Sequence, residues 1–261
     1  MKKLFYLILM VSCFSCVENT FEVLEEEEDL TVNLQSELIA FYPFNEGSLT
    51  DESTNSNNLT NTTTASPSTD RLGNPNCAFQ FDNSQSNDEF LTTTNTNFLN
   101  NLDAFSVSMW YQPLDSTRDG ADFEVLLGRG DTGRCPDRNG EWSIGLYDCR
   151  RAVFGHNNSV WAETITNFAN GCQGEVNALT DNWQHVVAVK NGDEYKIYFN
   201  GNLDDFASGN AGCNDLYIAA DIGDLFIGSG YIGNIDEIRI YKRELNQAEV
   251  TALFELEALC D

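Results

Sequence analysis

Two kinds of residue in this chain are spaced for chemistry: a run of oxygen donors and a scatter of exposed-type aromatics. Asp51-Glu-Ser-Thr-Asn-Ser-Asn57 sets an acid, a hydroxyl and two amides at alternate positions. Hard oxygens in that mixture suit Ca²⁺, which takes about six to eight of them, and the same spacing also makes Asx turns. A second acidic spot, Asp236-Glu237, interrupts an isoleucine-rich run, where a carboxylate needs a partner. Nucleophilic and zinc chemistry lack their usual motifs, since there is no Gly-x-Ser-x-Gly elbow and no His-Glu-x-x-His helix. A histidine-based site depends on His156, in the turn Phe154-Gly-His-Asn-Asn158, and on His185, which follows Trp183 in an apolar run and reads as a packed residue. No catalytic residue is assigned.

The aromatics point to binding. Sugar rings stack on flat side chains, and a groove that presents such rings beside a few polar groups is a saccharide platform. Trp110 and Trp183 read as buried and Trp142 as a strand residue, whereas Trp161, in Ser159-Val-Trp-Ala162, is less constrained. Trp161, His156, Arg129 and Tyr217 are the candidate ligand contacts, and packing under long loops accounts for the same residues equally well. Arg129-Gly-Asp131 spells an adhesion tripeptide, but a hairpin tip explains its glycine and aspartate.

The elements that carry these residues are short. From Leu38 to Asp261, runs rich in Val, Ile, Phe, Tyr and Trp alternate with Asn, Gly, Asp, Ser and Thr clusters, the pattern of one all-β domain. Asn-Gly at Lys190–Asp193 and at Asn200–Asn202 predicts two tight hairpins around the strand Tyr195–Asn200. Ser48–Asp70, Asn83–Asn101 and Leu203–Asp221 read as ordered loops. In Ile232–Tyr241 the apolar residues fall on both faces, as in a strand covered on both sides. Asn246 and Glu249 then form a capping-box pair that opens one short C-terminal helix.

The N-terminus reads as an export signal. Lys2 and Lys3 precede Leu4–Val11, an apolar run about half as long as a membrane-spanning helix. Ser15-Cys16 resembles a bacterial lipobox, which makes Cys16 the expected lipidated residue, with Cys13 as the alternative. Residues 1–15 are then the signal peptide, 16–37 an acidic tether containing Glu25-Glu-Glu-Glu-Asp29, and 38–261 the domain. Acids soon after a lipidated cysteine resemble the surface-export signals of Bacteroidota lipoproteins and imply an outer membrane anchor facing outward. With 41 acids against 14 bases and a net charge of -27, the chain repels nucleic acid, and its expected contact with membrane is the lipid alone.

Once Cys13 and Cys16 are set aside, Cys77, Cys135, Cys149, Cys172, Cys213 and Cys260 form an even set suited to an oxidising compartment. Sequence does not fix their connectivity. Loop lengths favour Cys135 with Cys149, Cys172 with Cys213, and Cys77 with Cys260, the last closing a long loop worth roughly 4–5 kcal/mol in the chain-entropy model.

In order along the chain, Leu38-Ile-Ala-Phe-Tyr-Pro-Phe44, the Asp51 loop, Ala78-Phe-Gln-Phe-Asp82, Phe105-Ser-Val-Ser-Met-Trp110, Trp142-Ser-Ile-Gly145, Trp183–Val189, Lys196–Gly201 and the ending Ile232–Val250 resemble the landmarks of laminin-G-like domains of the concanavalin A-like lectin/glucanase type. That resemblance implies a two-sheet antiparallel jelly-roll sandwich with one C-terminal helix. It also implies neighbouring first and last strands, so that Asp236 joins Asp51, Ser53, Asn55 and Asn57 around a structural Ca²⁺. Glucanases of this fold carry Glu-x-Asp-x-x-Glu, and Asn234–Arg239 lacks both flanking acids. The function expected is therefore a non-catalytic surface module for a glycan or a partner protein. The alternatives are an adhesion or assembly subunit and an unfamiliar glycoside hydrolase.

Overall fold

The computed structural model describes residues 32–84, 88–93, 95–114, 123–130, 142–147, 150–155, 159–162, 182–209, 223–258 and 260. All of them belong to one compact unit that begins at Val32. The strands are β1 (Leu38–Tyr42), β2 (Thr60–Asn61), β3 (Ser66–Ser68), β4 (Ala78–Asp82), β5 (Leu91–Thr93), β6 (Ala104–Pro113), β7 (Glu124–Arg129) and β8 (Trp142–Tyr147). They continue with β9 (Arg151–Gly155), β10 (Ser159–Trp161), β11 (Gln184–Asn191), β12 (Glu194–Phe199), β13 (Asn202–Ser208), β14 (Leu225–Ile227) and β15 (Ile232–Tyr241). One α-helix, α1 (Gln247–Glu255), follows β15.

Among the described residues the strands form two antiparallel sheets. The eight-stranded sheet runs β13-β12-β11-β6-β15-β4-β3, with β1 also paired to β15. The seven-stranded sheet runs β10-β9-β8-β7-β14-β5-β2. Alternation sets the core: Phe105, Val107, Met109 and Tyr111 of β6 point between the sheets and meet Trp142, Ile144 and Leu146 of β8 and Phe154 of β9. The other face of the eight-stranded sheet is covered as well, because Val187, Val189, Tyr198 and Tyr241 pack against Leu245, Val250 and Leu253 beneath α1. This explains why every residue of β15 is buried.

The two hairpins form as expected. Asn200 and Gly201 both have positive φ, 46° and 81°, as a tight β12–β13 turn requires. The capping box is also present, with the Glu249 N–H donating to Asn246 Oδ1 and the Asn246 N–H to Glu249 Oε2, each at 3.0 Å. Cys77 is bonded to Cys260, closing 183 residues of chain and fastening the tail beside β4.

Strict alternation along β15 does not hold. The register against β6 breaks between Asp236 and Arg239, and Glu237 sits at φ 48°. This bulge lets Ile235, Ile238 and Ile240 all enter the core and leaves Asp236 and Glu237 together on the helix side.

Candidate functional site

The Asp51 loop is a polar clamp on β1. Asp51 Oδ1 accepts the N–H groups of Phe41 and Ser53, each at 2.9 Å, and Oδ2 accepts that of Asn57 at 2.8 Å. The Asn55 amide donates to the Leu38 carbonyl and to Ser53 Oγ, and the Asn57 amide donates to the Ile39 carbonyl. Asp51, Ser53, Asn55 and Asn57 are therefore brought together, and three of the about four acceptor positions of Asp51 are filled by backbone donors.

Asp236 belongs to a different network. Its Oδ1 accepts the Glu237 N–H at 2.6 Å, and its Oδ2 lies 3.8 Å from the Arg71 guanidinium. Arg71 also approaches Glu237 at 3.2 Å, bonds the Leu256 carbonyl at 2.7 Å and lies 4.4 Å over the Trp110 ring. Burial, then the charge of Glu237, raise the Asp236 carboxyl well above the usual range, while the Glu237 N–H and Arg71 oppose the shift. Asp236 is thus held by Arg71 and the Glu237 N–H, whereas Asp51, Asn55 and Asn57 are held on the backbone of β1.

His185, beside Trp110, is fully enclosed, with Nε2 2.9 Å from Ser108 Oγ. Burial, then the charges of Arg239 and Arg71, push its pKa down to about 3. It is a packing residue, as its sequence context indicates. Arg129 is 1% exposed and donates to the Leu99 carbonyl and Asn100 Oδ1. It pins that loop from inside the sandwich. His156, Tyr217, Cys16, Asp131 and the pairs Cys135–Cys149 and Cys172–Cys213 lie outside the described residues.

Trp161 does sit on an open face. It is half-buried, and register puts it opposite Val153, which in turn faces Gly145 and so Val125. Their neighbours Val160, Phe154, Ile144 and Leu127 point into the core, so this row lies on the outer face of the seven-stranded sheet. The same face carries Arg151 opposite Tyr147, and Phe226 opposite both Gly128 and Thr92. The aromatics form a band: Tyr147 lies 6.0 Å from Trp161 and 6.4 Å from Phe123, and Phe226 meets Phe90 edge-on at 5.4 Å. Arg151 stacks 4.7 Å over Trp161.

The floor between the rings is kept low by small residues. A Cβ on Gly145 would come within 2.7 Å of the Phe123 ring, so the glycine is what lets that ring lie flat on the sheet. Beside the band opens a cleft of about 480 Å³ lined by Asp88, Phe90, Val125, Asp224, Phe226 and Ser229. Arg150 and Glu124 make a fully buried ion pair, Nε to Oε1 at 2.9 Å and an NH₂ group to Oε2 at 2.9 Å. Their sequence neighbours, Arg151 and Phe123, are members of the band, so the pair fixes both ends of one stretch of it.

Tyr147, Arg151, Phe123, Phe226 and Phe90 were not singled out from sequence. The usable signal was alternation: in Trp142-Ser-Ile-Gly-Leu-Tyr147 the large apolar residues occupy one parity, and Tyr147 breaks onto the other.

Residues 84–251 match the family model Laminin_G_3, concanavalin A-like lectin/glucanases superfamily. The chain belongs to this family. No curated protein sequence matches it closely enough to report. Among solved structures, this Laminin_G_3 domain is similar to the binding domain of Paraclostridial mosquitocidal protein 1, with TM-score 0.62, 18% identity, and coverage of 85% of this chain and 52% of that one. It is also similar to domain 4 of the extracellular arabinanase AbnA of Geobacillus stearothermophilus, in complex with arabinotriose, with TM-score 0.58, 18% identity, and 84% and 99% coverage. A third is a structure of botulinum neurotoxin type C, whose cell entry is described as dependent on two ganglioside molecules, with TM-score 0.60, 16% identity, and 85% and 51% coverage. The chain spans about half the length of the toxin structures. At these identities the likeness establishes the fold, a two-sheet sandwich.

Proposed function

We propose that this chain is a non-catalytic binding module that takes a glycan on the outer face of its seven-stranded sheet. The observation that carries the reading is the aromatic band of Trp161, Tyr147 and Phe123 leading to the cleft beside Phe226, on a face whose central positions are kept small. Such a surface offers stacking planes for successive pyranose or furanose rings and polar groups at its margin. Domains of this fold that bind arabinotriose or gangliosides support the class of ligand. Asp236 and Glu237, on the other sheet, are held by Arg71 beneath α1, and the carboxylates that line the cleft are Asp88 and Asp224. The N-terminal run supports a further part of the proposal, a lipid on Cys16 that holds the module at the outer membrane surface.

A glycan array probed with the chain and with Trp161→Ala tests the reading. Binding that Trp161→Ala abolishes is expected. Release of reducing ends from a bound saccharide would replace it with the hydrolase reading. Labelling by a fatty-acid analogue that Cys16→Ser removes is the expected result for the anchor.

A further inference from the structure

The charge around the cleft narrows the ligand further, on the premise that the outer face binds a glycan. Asp88 and Asp224 line the cleft beside the Phe90 and Phe226 rings. Among the described residues on this face of the strands, Arg151 is the one basic side chain, and its guanidinium lies over the Trp161 ring at the opposite edge of the sheet. At physiological ionic strength a field decays over about 8 Å, so these nearby charges, more than distant ones, act on a bound saccharide. A uronate, sialyl carboxylate or sulfate placed in the cleft meets two carboxylates. A neutral sugar meets its complement, because its hydroxyls donate to carboxylate oxygens in charge-assisted hydrogen bonds while its C–H face stacks on the rings.

We infer that the cleft takes an uncharged saccharide and rejects glycans that carry carboxylate or sulfate, with Asp88 and Asp224 accepting hydroxyl protons. Calorimetric titration of the full chain at about 0.15 M salt tests this. One ligand set is uncharged: arabinan, mannan, xylan and β-glucan oligosaccharides. The other is anionic: oligogalacturonates, sialyllactose and heparin oligosaccharides. Asp88→Asn, Asp224→Asn and Trp161→Ala are titrated beside the parent, each with an unchanged melting curve as proof of folding. Binding is expected in the uncharged set alone, weakened about tenfold by either acid substitution, as loss of a charged acceptor entails. An anionic oligosaccharide that binds at least as tightly as the best uncharged one, and that Trp161→Ala weakens, overturns the charge inference while leaving the glycan reading standing. Uncharged binding that neither acid substitution weakens overturns the role of Asp88 and Asp224. Silence from both sets overturns the glycan reading itself.

Discussion

Arg150→Met is the substitution whose cost the structure fixes best. The Arg150 and Glu124 side chains are both completely enclosed, joined by two contacts of 2.9 Å, and Arg150 also donates to the Ile232 carbonyl at 3.2 Å. Replacing the guanidinium with an apolar chain of similar length keeps the volume filled, so packing loss is small, but it leaves the Glu124 carboxylate buried without its cation. Breaking a buried pair in this way costs about 3–5 kcal/mol. For a domain of this size each kcal/mol lowers Tm by about 2–4 °C, so the expected fall is roughly 6–20 °C. Glu124→Leu with Arg150→Met removes both charges and recovers most of the loss, because a matched apolar pair replaces a buried ion pair at little net cost. Urea unfolding of the parent, both single variants and the double variant supplies the cycle. A single substitution costing under about 1 kcal/mol would refute the assignment of a dry, paired site, and a double variant no better than the worse single one would assign the loss to shape instead of charge.

Four other outcomes follow from the same structure. Cys77→Ser lowers stability by roughly 4–5 kcal/mol in the chain-entropy model, read as a shift of the urea midpoint, with Cys260→Ser giving the same shift and the double variant no more. The imidazole of His185, with its folded pKa pushed down to about 3 against about 6.5 unfolded, takes up a proton more readily in the unfolded chain. Its contribution is thus full above about pH 6.5 and is lost as the pH falls toward about 3, and His185→Gln flattens the stability profile across that window. Asp236 has the opposite sign: its carboxyl is raised by burial, so the native state holds the proton longer, and Asp236→Asn gains on the parent as the pH rises from about 4. Because backbone N–H groups fill most of Asp51 and Arg71 faces Asp236, a chelator is expected to shift Tm by under about 1 °C, whereas a rise of several degrees on adding Ca²⁺ that Asp51→Asn removes would show that the Asp51 loop holds an ion.

The fold was legible because its signals are local. Asn200-Gly201 specifies its own turn, Asn246 and Glu249 cap each other, and the parity of Phe105, Val107, Met109 and Tyr111 marks a buried face without reference to the rest of the chain. The cover on both faces of β15 was expected from isoleucines of both parities, but the bulge turns Ile235, Ile238 and Ile240 all into the core, and Tyr241 with Val187, Val189 and Tyr198 is what meets the helix. The bulge was not legible, since nothing in Ile235-Asp-Glu-Ile238 announces an extra residue, and it decides which side Asp236 takes. Arg71 escaped notice because it comes from a loop and reaches a strand more than 160 positions away, and a pairing at that separation leaves no trace in spacing. Arg129 misled for a related reason: an arginine beside a glycine turn reads as exposed, whereas Leu99 and Asn100 draw its guanidinium inward. Of the binding face, Trp161 was visible as an aromatic outside the core pattern. Tyr147, Phe123 and Phe226 became neighbours of the cleft only through the order of strands β9-β8-β7-β14, which sequence alone does not rank.

The central claim is that a saccharide lies against Trp161, and fluorine NMR of the chain labelled with fluorotryptophan tests it most directly. The chain has four tryptophans, of which Trp110 and Trp142 are buried on other faces or in the core, and Trp161→Phe assigns the resonance in question. Titration with a bound oligosaccharide is predicted to move the Trp161 signal saturably and to leave those of Trp110 and Trp142 in place. A saccharide that binds with the same affinity while the Trp161 signal stays fixed would contradict the account.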